Sequence, residues 1–133
     1  MTLRVLLVED SGVMRALLTN ILEAEAYALV VGVAETEAQA KAWLDSSVGN
    51  WDLALVDLYL LEGTGVSVLE HCHDRRRDQT VVVMTNHAQD DALRLDCLRL
   101  GANAVFQKGS ELDQMLTYCK ALAGKASLDG FYH

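Results

Sequence analysis

The 133-residue chain contains no proline. Without that ring-locked φ, its loops must be turned by its 9 glycines and by Asx and hydroxyl side chains, and it holds no proline-rich linker or low-complexity segment. Cysteine is scarce. Cys72, Cys97 and Cys119 are odd in number and form no CxxC pair. That excludes a disulfide framework and suits small core residues in a reducing, cytoplasmic compartment. His71-Cys72-His73 makes no metal site, because residues two apart on a helix point to different faces. Basic residues are few, 11 against 19 acidic, for a formal charge of -8. A nucleic-acid footprint needs a basic face, so direct nucleic-acid binding is not expected. The one basic cluster, Arg75-Arg76-Arg77, is flanked by Asp74 and Asp78 and reads as a solvated helix end. No apolar run is long enough for a membrane span, and Met1-Thr2 leads into a strand pattern without the layout of a signal peptide.

What is present is apolar: 51% of the residues are hydrophobic, enough for one domain with a real core. The chain is organised around Leu53-Ala54-Leu55-Val56-Asp57-Leu58-Tyr59-Leu60, an aliphatic run interrupted by one carboxylate. Such a run reads as a central strand of a parallel sheet, covered on both faces. An ionised carboxylate inside it is expensive, but tolerable at the strand's C-terminal end, where open α/β sheets place their sites. Taken alone, Asp57 is equally a strand-end residue capping a turn.

Around that strand the chain alternates. Arg4 to Val8 is a first strand, ending in Glu9-Asp10-Ser11. A helix follows from Ser11 or Gly12 to about Ala26, with Val13, Met14, Leu17, Leu18, Ile21 and Leu22 as its stripe. Leu29 to Ala34 is a strand. Glu37 to Ser46 is a helix packing through Ala38, Ala42 and Trp43, and Trp51 to Asp57 is the third strand. Glu62-Gly63-Thr64-Gly65 is a loop before a helix marked by Val66, Leu69 and Cys72. Val81 to Thr85 is the fourth strand, Asp90 to Leu100 a helix stopped by Gly101, and Ala104 to Lys108 the fifth strand. Ser110 caps a last helix with Leu112, Met115, Leu116, Cys119 and Leu122 on one side, ending at Gly124. Five strand–helix pairs predict an α/β fold, a parallel sheet with helices on both faces. The domain spans residues 1–124, and 125–133 is a tail or the start of a linker.

Strands of such a sheet deliver their C-terminal ends to one edge. The first brings Glu9 and Asp10, the third Asp57, the fourth Thr85 and the fifth Lys108. Converging carboxylates repel unless a cation sits among them, and all-oxygen ligands suit a hard ion, Mg2+ above all. With an ammonium and a hydroxyl beside them, they make a receptor for a phosphoryl group, with Asp57 as nucleophile. Each residue singly has an ordinary role as a helix-start acid, a strand end or a solvated lysine. Their joint placement is what points to chemistry.

The pattern resembles the receiver domain of two-component response regulators, from Leu3 to about Ala123. The resemblance rests on the acidic pair, Asp57-Leu58-Tyr59-Leu60 with Gly65 eight after the Asp, Met84-Thr85, Gly101-Ala102 and Lys108. It implies a doubly wound, CheY-like (βα)5 fold with five parallel strands ordered 2-1-3-4-5. It further implies a signalling domain rather than an enzyme, with Asp57 taking a phosphoryl group from a histidine kinase or phosphotransfer protein. In the family's pattern, Asp10 and Asp57 bind Mg2+ with the backbone carbonyl of Tyr59, and Glu9 helps through water. Thr85 and Lys108 then hold the phosphoryl oxygens. The implied output is contact with an effector protein or a second copy of the chain. Several positions depart from the family. Gly109 follows the lysine and Leu61 lies four after the acceptor, both places where proline is frequent. Val105 stands where the switch aromatic usually lies, with Phe106 beside it on the opposite strand face, and Asn86 is larger than the usual Ala or Gly. Tyr59 and His87 occupy the positions that overhang the site and govern attacking water.

Other classes compete. A metal phosphohydrolase of the haloacid-dehalogenase kind needs an acid two after its nucleophile, where this chain has Tyr59. A flavin-binding protein would set phosphate against Glu9 and Asp10. A degenerate receiver serving only as a docking module fits poorly with the intact acid, Thr and Lys set. On the fourth helix, Leu93, Cys97 and Leu100 form one apolar side and Leu95 and Leu98 a second, which with Phe106 is expected to form an output face.

Overall fold

The apolar runs become strands, and they alternate with helices as the pattern predicts. In the computed structural model, residues 2–131 are described, with side chains through Gly124. Strands β1 (Leu3–Val8), β2 (Ala28–Ala34), β3 (Leu53–Asp57), β4 (Thr80–Thr85) and β5 (Ala104–Gln107) alternate with helices α1 (Gly12–Glu25), α2 (Glu37–Ser46), α3 (Gly65–His71), α4 (Asp91–Arg99) and α5 (Leu112–Phe131). They form one parallel five-stranded sheet in the order β2-β1-β3-β4-β5, the order that the family resemblance implies. β3 is buried throughout, and β1 and β4 at all but one position each, which accounts for their nearly unbroken apolar sequences.

Successive side chains of each strand feed two cores. Val5, Leu7, Leu55, Val82 and Met84 pack with Leu18 and Leu22 of α1 and Met115, Leu116 and Cys119 of α5. Leu6, Val8, Ala54, Val56, Val81, Val83 and Val105 pack with Ala40 and Leu44 of α2, Val68 and Leu69 of α3, and Cys97 of α4. Hydroxyl and carboxylate caps start four helices: Ser11, Thr36, Thr64 and Asp90 each accept a backbone N–H of the first turn, a contribution of about 1 kcal/mol apiece. Gly101, at φ +102°, ends α4 in the left-handed conformation that glycine favours.

β2 is an edge strand. Its pairing with β1 slips by one residue between Val5 and Leu6, leaving Val31 as a bulge, and Leu29, Val31 and Val33 are exposed.

Several details differ from the sequence reading. On α1, Val13 and Leu17 lie in solvent and only Leu18 and Leu22 are buried, so the stripe is narrower than its composition. On α2, Ala38 and Ala42 are exposed and the packing side is Ala40 and Leu44, with Trp43 half-buried. The third strand begins at Leu53. Asp52 before it turns to an ion pair with Arg4, 3.1 Å away. Arg75 is not a solvated charge: its guanidinium donates to the carbonyls of Cys72, Gln79 and Gly101 and to Asn103 Oδ1. Ser110 does not cap α5. Glu111 precedes the first helical residue, and its carbonyl takes the Met115 N–H. Gly124 does not stop α5, which runs on to Phe131; it is absent from the glycines with positive φ, and a right-handed glycine only weakens a helix. Residues 132–133 of the expected tail lie outside the described residues. No described helix is long and apolar enough to cross a membrane.

Candidate functional site

The C-terminal ends of β1, β3, β4 and β5 bring the expected residues to one edge. Glu9 follows β1, and its backbone N–H bonds Ala34 at the end of β2. Asp57 ends β3 and is buried, with its Oδ1 accepting the Tyr59 N–H at 3.2 Å. Gly65, at the start of α3, packs on the backbone of this turn; a Cβ there would lie 2.2 Å from the Asp57 carbonyl oxygen. Lys108, from the residue after β5, donates to Asp57 Oδ2 at 2.8 Å and lies 2.5 Å from Glu9 Oε1. Oxygens of Glu9, Asp10 and Asp57 all lie within 4.8 Å of one another.

The electrostatics follow from that crowding. Burial raises the pKa of Asp10, and the adjacent Glu9 carboxylate raises it further. Burial pulls Lys108 down, but its hydrogen bonds and charge contacts with Asp57 and Glu9 outweigh this, and its pKa is raised. Glu9 is almost wholly enclosed, and its Oε1 is ion-paired with the Lys108 ammonium. Three clustered carboxylates, one of them almost wholly buried, are a donor set that fits a hard divalent cation.

Thr85 ends β4 fully buried, and its Oγ1 accepts the His87 N–H at 3.2 Å. His87 and Tyr59 meet edge to face over this edge, ring centroids 5.2 Å apart at 67°. Asn86 is exposed. Val105 is buried among the α2–α4 core residues. Phe106 does not lie under α4. It faces the opposite side of the sheet, half-buried against Tyr118 of α5 at 5.8 Å. Leu95 and Leu98 are both exposed, at 47% and 43%, while Cys97 is buried and Leu93 and Leu100 pack on the core.

Three residues that the sequence reading passed over support the site. Arg15 donates to the carbonyls of Glu9 and Asp10 and pairs with Glu35 at 2.9 Å, fixing the acidic turn. Its place in the first turns of α1, five after Asp10, was the available signal. Glu37 accepts the Thr64 N–H at 3.0 Å and pairs with Lys41, clasping the loop after Asp57. The Thr64 N–H and then Lys41 hold the Glu37 carboxyl below the usual range. Gln107 ties the loop after Thr85, and its side chain carries no signal in a single sequence.

The fold and this edge define a doubly wound α/β domain with an acidic, cation-fitting mouth where nucleotide-binding relatives of the fold carry a phosphate loop. The chain belongs to the family of the response regulator receiver domain, whose profile matches residues 5–120. It is 29% identical over 127 residues to the DNA-binding transcriptional activator DevR/DosR of Mycobacterium tuberculosis, covering 95% of this chain and 57% of that protein. The chain thus spans little more than half the length of that relative. Among solved structures it resembles the signal receiver domain of a putative Luxo repressor protein from Vibrio parahaemolyticus, with TM-score 0.80, 25% identity, and coverage of 100% and 98% of the two chains. It also resembles a response regulator protein from Burkholderia pseudomallei whose crystal structure has a phosphorylated aspartic acid and a calcium ion. There the TM-score is 0.72 and the identity 22%, covering 96% of this chain and 74% of that one.

Proposed function

We propose that this receiver domain accepts a phosphoryl group on Asp57 from the phosphohistidine of a kinase or phosphotransfer protein. An Asp57 oxygen attacks phosphorus as the P–N bond breaks and the electron pair leaves with the imidazole. Asp10 and Asp57, with the Tyr59 carbonyl and with Glu9 through water, would hold Mg2+, which supplies charge neutralisation at the phosphoryl oxygens. Lys108, already bonded to Asp57, follows the phosphoryl oxygen, and the Thr85 hydroxyl donates to another. Tyr59 and His87 cover the site against water.

The observation that carries this reading is the Lys108 bond to Asp57 Oδ2 at 2.8 Å, inside a cluster of three carboxylates. A phosphorylated aspartate and a divalent cation in the Burkholderia pseudomallei relative support it. Output passes through protein contacts in the cytoplasm, by way of Leu95, Leu98 and the neighbouring β5 and α5, to an effector or a second copy of the chain, not directly to nucleic acid. The test is intact mass after incubation with acetyl phosphate. Wild type should gain one phosphoryl group with Mg2+ and none without it, and Asp57→Asn none in either case. Equal labelling of both proteins would sink the assignment.

A further inference from the structure

Position 105 carries a buried valine, so strand β5 has no aromatic side chain there that swings behind Thr85. A different connection joins β5 to the loop after Thr85. The side-chain amide of Gln107 donates from Nε2 to the Asn86 carbonyl at 2.7 Å and accepts the Ala88 N–H on Oε1 at 2.9 Å. These two bonds bracket His87, whose own N–H is bonded to Thr85 Oγ1 at 3.2 Å. On its other side, the Gln107 N–H donates to the Glu111 carboxylate at 2.8 Å, and the Gln107 carbonyl takes the Glu111 N–H, at the start of α5. Through these hydrogen bonds and the backbone of residues 86–88, Gln107 thus links the residue before α5 to the Thr85 hydroxyl.

We propose that the Gln107 side-chain amide is the latch coupling the Thr85 loop to β5 and α5, and that loading of Asp57 releases it. This rests on the phosphoacceptor reading above. The physical basis is differential bonding. A Thr85 hydroxyl that turns to a phosphoryl oxygen draws its oxygen from the His87 N–H, and the 86–88 segment then loses the anchor that aligns it with the amide. The bond to Asn86 lies at the surface, where water replaces it readily. Two such bonds together set an opening equilibrium within roughly ten- to a hundredfold of balance, a range that a ligand with different contacts in the two states can shift. Gln107 touches neither metal ligand nor phosphoryl group in this scheme. It is a positioning residue.

The test uses the whole chain and backbone-amide hydrogen exchange of Ala88, read by NMR. Beryllofluoride with Mg2+ stands in for the phosphoryl group. In the unloaded protein, Gln107→Leu should exchange at Ala88 roughly tenfold or more faster than wild type, with the β4 amides of Val82 and Val83 unchanged. Gln107→Glu keeps the acceptor for Ala88 and should fall between, and it carries the test if the leucine variant does not fold. Beryllofluoride should speed exchange at Ala88 in wild type and leave it unchanged in Gln107→Leu. Equal protection of Ala88 in wild type and both variants overturns the latch, as does wild-type protection that beryllofluoride leaves intact. If beryllofluoride fails even to shift the Leu58 amide beside Asp57, the phosphoacceptor reading falls and the release with it. The tether then stands or falls on the unloaded proteins alone.

Discussion

Lys108 and Asp57, 51 positions apart, are joined by a hydrogen bond of 2.8 Å that ties the end of β5 to the end of β3. The ammonium compensates the charges of Asp57 and Glu9. Lys108→Ala therefore leaves buried carboxylates uncompensated and should lower stability by about 3 kcal/mol without divalent cation. Mg2+ should bind more tightly to the variant and restore much of that loss. Because the folded pKa of Lys108 is raised, the stabilisation it gives is complete below its ordinary value of 10.5 and is lost as pH rises through the higher folded value. Thermal melts with and without Mg2+, and calorimetric titration of Mg2+, check this; equal melting of the two proteins in EDTA would contradict it.

The Tyr59–His87 pair should slow hydrolysis of a phosphoaspartate by shielding it. An edge-to-face aromatic contact is worth about 0.5–1.5 kcal/mol, so Tyr59→Asn should speed decay of the phosphoprotein by roughly two- to tenfold. His87→Ala should act in the same direction, and the double variant should fall short of the product of the two. Following the phosphoprotein over time by intact mass decides it, with unchanged decay counting against shielding.

Glu37 should release the loop after Asp57 in acid. Its folded pKa lies below its ordinary value of 4.5, so its contribution is present above that value and lost as pH falls through the lower folded one. The Thr64 amide resonance should titrate with a midpoint below 4.5. That titration should vanish in Glu37→Gln.

Gly65→Ala should destabilise by about 2 kcal/mol or more, since overpacking against backbone cannot be relieved by a rotamer change. A Cβ here would lie 2.2 Å from the Asp57 carbonyl oxygen and 2.7 Å from Leu58 Cα. Urea unfolding measures the loss, and Asp57 labelling should slow in whatever fraction remains folded.

Leu95→Glu should change stability by no more than about 0.5 kcal/mol, because the side chain is already 47% exposed. It should abolish self-association or effector binding while Asp57 still accepts phosphate. Size-exclusion chromatography of the phosphorylated protein, beside intact mass, checks both halves. Joint loss of folding and labelling would instead make Leu95 a core residue.

The alternation of strands and helices and the five convergent residues were legible because they depend on coarse features: apolar runs of strand length, and polar residues at the ends of those runs. The order of the strands was legible only through the family resemblance. The helix faces were less so. Alanine carries almost no directional signal, so Ala38 and Ala42 were indistinguishable from Ala40 until Leu44 and the sheet fixed the rotation of α2. On α1, Val13 and Leu17 belong to the apolar stripe by spacing, yet both are exposed, and the helix buries only Leu18 and Leu22. Gly124 and Ser110 failed as punctuation because neither residue type obliges a helix to stop or start. Arg75, Glu37 and Gln107 were invisible for a common reason: each bonds at least one backbone group of a loop distant in sequence, and no side-chain pattern announces such a partner.

The slip at Val31 bears on what happens when many copies of the chain are crowded together. An outermost strand with apolar side chains on show is a ready template for a neighbour's strand, and a straight one invites stacking without limit. The extra residue twists this margin and interrupts its row of free amides and carbonyls, so an incoming strand cannot keep step beyond a few residues. Solubility at high concentration would then hang on a single surplus residue. Its deletion, which regularises pairing within the molecule, should favour fibrous precipitation between molecules.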